Sequence, residues 1–502
     1  MKARYLIFLL LLSSCLAQNT TKQIPATQTL ANYPTETART PDPNPAQTST
    51  PTPLPESPPL SPTPPISAPE ARSQYTITAV LNYAQHYLAV DEQITYINRS
   101  GETLANLILM VEPLNYAGVF RLNGIAWQEG QPIENYEFKN SQLHIPLRQV
   151  LGPGERVELS LSYELNLPSP TPSAETRPVP FGYTARQTNL VDWYPFVAPY
   201  KEGQGWLAHQ AGFFGEHLVY DVADFDVSIR LADSRSDLTI AASGEAEKQG
   251  EWHHYTHTAA RNFAWSVSHE YIVTEQQVDD VIVRGYAFPY HQNAGETALK
   301  TTAEALALYE KLFSPYPRQL LSVVEADFLD GMEYDGMYFL SNGFYNLYQG
   351  TPGEFLVAIA AHETAHQWFY ALVGNDQALE PWLDEALCTY SERLYFEHYF
   401  PEALDWWWTY RVRYYQPRGW VDGSIYNPGG YRAYRDAVYL NGAIYLEELR
   451  KLVGETAFFS LLQSYVTEYS YQIASGEDFF ALLPQFTTPD YNSLSSNYFQ
   501  NQ

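Results

Sequence analysis

Residues 358–368 read Ala-Ile-Ala-Ala-His-Glu-Thr-Ala-His-Gln-Trp, and residues 381–387 read Pro-Trp-Leu-Asp-Glu-Ala-Leu. Histidines four apart on a helix share one face, with Cβ atoms roughly 5–6 Å apart, so His362 and His366 can bind one metal ion. Glu363 points near the same edge of the helix without reaching the metal, which is the position of a base acting on water. Glu385 offers a third ligand, and zinc in hydrolytic sites takes three protein ligands and keeps a fourth position open. The pattern therefore predicts one Zn²⁺ per chain.

The histidine pair alone also fits a buried helix with two structural histidines. The glutamate that opens a second helix, with eighteen residues between it and His366, separates the two interpretations. Together the two segments resemble the gluzincin metallopeptidases of the aminopeptidase N and leukotriene hydrolase family. The resemblance implies a multi-domain protein, in which an N-terminal antiparallel β domain precedes a thermolysin-like α+β zinc peptidase domain.

A third segment, Asp330-Gly331-Met332-Glu333-Tyr334, stands where this family carries Gly-Ala-Met-Glu-Asn. Gly331 takes the alanine position and Tyr334 replaces the asparagine. In the family the segment is an edge strand along the substrate, so the resemblance implies that Glu333 binds the free α-ammonium group of a peptide. A desolvated ammonium requires a carboxylate. The alternative is an ordinary acid in a turn.

Three further residues are candidates for the site. The segment Val438-Tyr439-Leu440-Asn441-Gly442 resembles the family's Tyr-x-Lys-Gly, with Asn441 in place of lysine, which implies that Tyr439 stabilises the transition state. Gln187, eight residues before Pro195, stands where the family has a substrate-contacting Gln or Glu. Glu392 lies two helical turns beyond Glu385, so it either hydrogen-bonds a ligand histidine or pairs with Arg393 at the surface.

The N-terminus has the layout of a secretory signal, residues 1–17. Lys2 and Arg4 precede an apolar run too short to span a bilayer, and Leu-Ser-Ser-Cys at 12–15 resembles the bacterial lipoprotein signal. We expect export and a lipid anchor at Cys15, on the extracytoplasmic face of the cell membrane. Cleavage after Ala17 is the alternative and would leave a secreted protein.

Residues 18–73 are rich in Pro and Thr, without apolar periodicity, and are predicted to be a disordered linker. Residues 74–285 alternate apolar and polar side chains and are predicted to form the β-rich domain. Residues 286–502 are predicted to form the catalytic domain. We expect a short form of the family, without its C-terminal helical domain. The cluster His253-His254-Tyr255-Thr256-His257 lacks a Cys or an acid at ligand spacing, which favours an ordinary strand over a metal site.

Composition excludes several functions. With 29 basic and 57 acidic residues, the formal charge of −28 opposes binding to nucleic acid or to anionic membranes. No GKS or GKT phosphate loop exists, and nothing indicates an obligate protein partner. Only Cys15 and Cys388 are present, so acylation of Cys15 leaves no disulfide partner. Cys388 is expected to be a small buried residue rather than a nucleophile.

The function expected from these residues is peptide hydrolysis by zinc-activated water. Glu363 would take a proton from the water and deliver it to the leaving amine, while Tyr439 donates to the oxyanion. Glu333 would restrict the enzyme to N-terminal residues. Two alternatives remain open: an endopeptidase with an open cleft, and a catalytically silent surface-binding lipoprotein that keeps the fold.

Overall fold

β-Strands dominate the first half of the chain, and helices around one further sheet dominate the second. The computed structural model describes residues 67–169, 179–233, 235–427, 429–487 and 490–501. Cys15, the signal segment and most of the predicted linker therefore lie outside the described residues. Within the described residues, no helix is both long and apolar enough to cross a bilayer.

The largest sheet has seven strands, and its core face follows the alternation seen in the sequence. Along Ser73–Asn82, for example, Tyr75, Ile77, Ala79 and Leu81 are buried while the intervening side chains are partly or fully exposed. All neighbours are antiparallel except Ser73–Asn82 and Ala223–Leu231, which run parallel. In spatial order the strands are Ala246–Gln249, Trp252–Ala260, Ala223–Leu231, Ser73–Asn82, Tyr87–Ile97, Arg156–Asn166 and Phe120–Trp127.

Smaller sheets complete the β-rich part. One has the order Phe196–Val197, Leu104–Met110, Gln142–Leu151 and Glu137–Lys139. Another has the order Thr239–Ala242, Trp265–Ser268, Gln187–Leu190 and Gly182–Tyr183. A two-stranded ribbon pairs Tyr200–Lys201 with Gly205–Trp206.

A five-stranded sheet carries the second half of the chain. Its spatial order is Ile272–Val278, Val281–Ala287, Leu320–Ala326, Met337–Ser341 and Gly331–Tyr334. The central three strands are parallel, and Gly331–Tyr334 is antiparallel to its neighbour. The hairpin 272–287 thus pairs with catalytic strands, so this sheet crosses the predicted domain boundary at residue 285. We call Gly331–Tyr334 the edge strand.

Helices surround this sheet. Phe355–Ala365, called here the motif helix, and Trp382–Tyr399, called the glutamate helix, are buried along most of their length. The remaining α-helices are Gln292–Leu312, Asn342–Leu347, Leu404–Trp406, Gly430–Arg435, Gly442–Val453, Glu455–Tyr469, Gly476–Phe486 and Tyr491–Ser495. The described residues also contain two π-helical turns, Trp407–Val412 and Asp436–Asn441, and four 3₁₀ turns, Glu112–Asn115, Pro289–His291, Pro401–Ala403 and Arg413–Tyr415. A short parallel pair joins Gly374–Asn375 to Ile473–Ala474.

The ends of the two central helices differ from expectation in one respect. The glutamate helix runs from Trp382 to Tyr399 and ends before Pro401, as its sequence predicts. The sequence also predicts a motif helix that continues to Val373, but this helix ends at Ala365. Beyond it the chain proceeds in turns, and Tyr370 adopts φ 139°, a conformation that no α-helix contains.

A buried arginine joins the β-rich part to the catalytic part. The Arg261 guanidinium donates to the carbonyl oxygens of Tyr220, Ala371, Leu372 and Gln472 at 2.7–3.2 Å. Gly374 leaves room for it, since a Cβ there would lie 2.7 Å from the guanidinium carbon. These bonds hold the turns that follow the motif helix against the β-rich part.

Candidate active site

Three predicted ligands converge between the two central helices. The Nε2 atoms of His362 and His366 lie 3.2 Å and 3.6 Å from Oε2 of Glu385. One ligand atom from each residue falls within 4.8 Å of the other two, and all three side chains are buried. Two imidazoles and one carboxylate at this spacing are the donor set that catalytic zinc prefers. The residues present therefore fit a zinc ion.

The outward-facing nitrogen of each histidine is held by an acceptor. Nδ1 of His362 lies 2.9 Å from Oε1 of Glu392, and Nδ1 of His366 lies 3.1 Å from the carbonyl oxygen of Phe369. An Nδ1–H that donates in this way leaves the Nε2 lone pair directed at the metal position. Burial lowers the pKa of His366 well below its ordinary value, which keeps the imidazole in its neutral, ligating form.

Glu392 is itself fixed by three donors. Arg411 donates from Nε at 2.9 Å and from Nη2 at 2.7 Å, and the Trp407 indole donates at 2.8 Å. Although burial opposes ionisation, Arg411 and His362 hold the pKa of Glu392 below its ordinary value. Of the two alternatives open for Glu392 in the sequence, the geometry is that of the contact with His362.

Glu363 lies beside the three ligands, close to the edge strand. Its Oε2 is buried without a hydrogen-bond partner among the described residues. Glu363, Glu333 and His366 can place one atom each within 4.8 Å of one another. Gly331 makes this approach possible, because a Cβ there would lie 1.9 Å from Oε1 of Glu363. The carboxylate thus faces a space shared with the edge strand.

The edge strand leaves one side open. It pairs with Met337–Ser341, with Glu333 opposite Tyr338, and no other strand in the described part of the chain pairs with it. An open strand edge beside a catalytic group can bind an extended peptide through its backbone. Tyr334, which replaces the family's asparagine, is buried, and its hydroxyl lies 3.4 Å from Oδ2 of Asp192.

Glu333 is held by an amide that sequence reasoning missed. Gln377 Nε2 donates to Oε1 of Glu333 at 2.9 Å and to Oδ2 of Asp384 at 3.0 Å. Burial, followed by the charges of Glu216 and Asp384, raises the pKa of Glu333. Glu216 comes from a loop of the β-rich part. This loop packs against Ile425 and Tyr434, since a Cβ at Gly215 would lie 2.4 Å from Cγ2 of Ile425 and 3.1 Å from the Tyr434 hydroxyl, and no local sequence pattern marks these contacts.

Buried acids therefore crowd the centre of the site. Burial raises the pKa values of Glu363 and Glu385, and each is raised further by neighbouring carboxylates. Repulsion among carboxylates in a desolvated space is relieved by protons or by bound cations. The site therefore favours the binding of a positively charged group.

Tyr439 stands on a π-helical turn, Asp436–Asn441, next to the ligands. Its ring stacks on His362 with 6.0 Å between centroids and 6° between planes. A hydrogen bond from Tyr439 partly offsets the effect of burial on the pKa of Glu385. π-helical turns are often found at functional sites, where they redirect a side chain. The neighbouring Tyr434 has a buried hydroxyl without a hydrogen-bond partner among the described residues.

Gln187 is placed elsewhere. Its side chain is fully buried, with Nε2 donating to the Tyr271 hydroxyl at 2.8 Å and to the Glu325 carbonyl at 3.3 Å. Its Oε1 accepts from the backbone N–H of Asp327 at 2.6 Å. These bonds occupy the amide, so Gln187 supports the loop that precedes the edge strand rather than facing the metal position.

The histidines at 253–257 and Cys388 also lie in surroundings typical of structural residues rather than of an active site. Within the described residues, the groups that could hold a metal consist only of side chains already named, so the histidines at 253–257 form no such group. His257 is buried, and its Nε2 lies 3.1 Å from the carbonyl oxygen of Asp335. Cys388 is fully buried, and burial raises its pKa well above the ordinary value, which disfavours a thiolate nucleophile.

Comparison with known proteins shows what this part of the chain is similar to. Residues 297–498 match the peptidase family M1 domain. This match includes the three predicted metal ligands, Glu363 and Tyr439. The resemblance to the aminopeptidase N-like gluzincins is thereby confirmed.

Sequence relatives of this part of the chain include proteins named aminopeptidases. Aminopeptidase M1-D of Oryza sativa subsp. japonica is 27% identical over 236 residues, 44% of this chain and 27% of that protein. Endoplasmic reticulum aminopeptidase 1 of Homo sapiens is 29% identical over 217 residues, 39% of this chain and 23% of that protein. The chain thus spans about a quarter of the length of these relatives.

Solved structures extend the likeness beyond the M1 domain. The crystal structure of an M1 zinc metallopeptidase from Deinococcus radiodurans is similar with a TM-score of 0.62 at 20% identity, covering 86% of this chain and 94% of that one. A point mutant of that metallopeptidase bound to a Tyr-Ser-Ala substrate is similar with a TM-score of 0.59, also at 20% identity, over 84% and 92% of the two chains. The predicted fold class, a β-rich part followed by an α+β peptidase domain, is confirmed.

Proposed function

We propose that this protein is a zinc-dependent aminopeptidase that removes N-terminal residues from peptides. The observation that carries the proposal is the convergence of His362, His366 and Glu385 beside two further buried carboxylates, Glu363 and Glu333. A metal-binding protein needs the three ligands alone. A peptidase needs a base beside them, and an aminopeptidase also needs an anion for the ammonium group.

A zinc ion held by His362, His366 and Glu385 would supply Lewis acidity to the reacting water and the scissile carbonyl. Glu363 accepts a proton from the attacking water and returns it to the leaving amine, a transfer for which its unpartnered Oε2 is available. The Tyr439 hydroxyl donates to the developing oxyanion. Glu333 binds the α-ammonium group, and the open edge strand aligns the peptide backbone.

One experiment tests the base. Glu363→Gln keeps the shape of the side chain and removes its basicity, so the variant should bind one zinc per chain and lose nearly all hydrolysis. Zinc is measured by elemental analysis of purified protein, and hydrolysis with aminoacyl reporters. His366→Ala is the matched control, since it should lose the metal as well. An unchanged rate in Glu363→Gln would exclude Glu363 as the base.

A second experiment separates exopeptidase from endopeptidase. If Glu333 binds the α-ammonium group, Glu333→Ala should lower kcat/KM by about 30- to 1000-fold, as expected for an unpaired buried cation. N-acetylation of the substrate should cause a similar loss with the parent enzyme, and the two losses should not add, since each removes one partner of the same contact. Equal cleavage of free and blocked substrates by the parent would favour the endopeptidase alternative.

We also propose that the enzyme is an extracytoplasmic lipoprotein. The support is the sequence of residues 1–17 with Leu-Ser-Ser-Cys near its end, and the acidic composition, which gives no other attraction to an anionic membrane. Cys15→Ser should move the protein from the membrane fraction to the soluble fraction. Continued membrane residence would refute the anchor at Cys15.

A further inference from the structure

The side chain of Gln377 occupies an unusual position between two acids. It lies in the turn between the motif helix and the glutamate helix, is buried, and donates from one nitrogen to both Glu333 and Asp384. Each N–H of this amide therefore points at a different carboxylate. Among the described residues, neither Glu333 nor Asp384 has a hydrogen bond or ion pair with a lysine or an arginine.

Asp384 is fully buried and uses both of its oxygens. Oδ2 accepts from Gln377, and Oδ1 accepts from the backbone N–H of Glu385 at 2.8 Å. Asparagine offers only one acceptor oxygen, so it would place an NH₂ group against one of these donors. A carboxyl group at position 384 therefore fits this arrangement better than an amide, and it lies behind Glu333.

These contacts determine which oxygen of Glu333 can bind a ligand. Gln377 holds Oε1, which fixes the plane of the carboxylate and leaves Oε2 for a ligand. A cation at Oε2 would face two carboxyl groups bridged by one neutral amide and would favour the ionised form of both, so it is attracted more strongly than by Glu333 alone. A small cation with N–H donors, such as the amino terminus of a peptide, satisfies both the charge and the free oxygen.

We propose that Gln377 and Asp384 are positioning residues of the ammonium site, which hold Glu333 in place and add a second charge behind it, so that a free amino terminus is selected. The inference rests on the proposed aminopeptidase function and assigns the selectivity to three residues instead of one. In this proposal Gln377 and Asp384 act through Glu333 and do not themselves bind the substrate.

The test compares substrates that differ only at the amino group. Gln377→Met keeps the length of the side chain and removes both donors. For the zinc-loaded full-length enzyme we expect KM for a free aminoacyl reporter to rise about 10- to 100-fold, the usual range for a hydrogen bond to a charged group, with kcat within about threefold. Cleavage of the N-acetylated reporter should not change. Asp384→Asn should shift the same ratio in the same direction.

Binding provides a readout independent of turnover. In zinc-loaded Glu363→Gln protein, calorimetry would measure the affinity of leucine and of 4-methylpentanoate, which lacks the amino group. Adding Gln377→Met should weaken the binding of leucine by about 10- to 100-fold and leave the affinity for 4-methylpentanoate unchanged. Asp376→Asn is the matched control: Asp376 lies in the same turn but pairs with His209 at 2.8 Å, so its loss should leave the ratio of the two affinities unchanged.

The outcomes separate the inference from the function on which it rests. A parent that cleaves free and blocked reporters equally overturns the aminopeptidase proposal itself. A parent that discriminates, with Gln377→Met and Asp384→Asn retaining the same ratio, overturns only the roles of these two residues. An equal loss of activity on both reporters, with or without loss of zinc, also overturns the roles of these two residues. A merely structural role would reduce the cleavage of both reporters alike.

Discussion

Glu392→Gln should weaken zinc binding and destabilise the metal-free protein by separate mechanisms. Glu392 accepts from Nδ1 of His362 on one oxygen and from Trp407 on the other, while Arg411 donates to both. Glutamine has the same shape but only one acceptor oxygen and no charge. Its NH₂ group must therefore face either the histidine or the arginine, and the buried guanidinium loses its counter-charge.

Each loss has an expected size. Breaking a buried ion pair by removing one partner costs about 3–5 kcal/mol of stability, because the remaining charge is left uncompensated. Removing the acceptor that orients a metal-binding histidine costs about 10- to 100-fold in metal affinity. Arg411→Met in the same chain should restore most of the stability, because the buried cation is then gone, but it should not restore zinc affinity.

The assay measures both quantities in the parent, in Glu392→Gln and in the double variant. Urea unfolding of the metal-free proteins reports the free energy of unfolding, and competition with a chelator of known affinity reports the zinc dissociation constant. A variant with parental zinc affinity would refute the role of Glu392 in orienting His362. Equal destabilisation of the single and double variants would refute the argument from the unpaired Arg411.

Three other changes have defined outcomes. Tyr439→Phe should lower kcat by about 10²–10³-fold with zinc content unchanged, as expected for one lost oxyanion donor; single-turnover kinetics would show whether the chemical step is slowed. Arg261→Met should reduce the free energy of unfolding in urea by about 3–5 kcal/mol, because buried carbonyl groups lose their donors, whereas Arg121→Met, whose side chain is 64% exposed, should change it by less than about 1 kcal/mol. Although burial opposes ionisation, Arg318 and His257 hold the pKa of Asp335 well below its ordinary value of 3.8. Asp335→Asn should therefore be less stable than the parent by a constant amount above that pH, and the difference should shrink in acid, as urea titrations from pH 7 to pH 2 would show.

The ligand set was accessible from sequence because its geometry is local. Helical spacing alone brings His362 and His366 to one face, and a second helix begins at Trp382, close enough to deliver Glu385. The same periodicity pointed to Glu392 and its alternatives. Alternation of apolar and polar residues likewise predicted the β-rich part, since an extended strand turns every second side chain to the same face.

The ammonium site and its supports depended on tertiary structure. Glu333, Gln377 and Asp384 meet only because the edge strand, a turn and a helix come together, and no periodic pattern marks that meeting. Gln187 and Glu216 show the same dependence, since both come from the β-rich part and only folding decides which of them approaches Glu333. Contacts between distant segments are set by packing, and packing involves the whole chain, whereas the spacing along one helix involves only its own backbone.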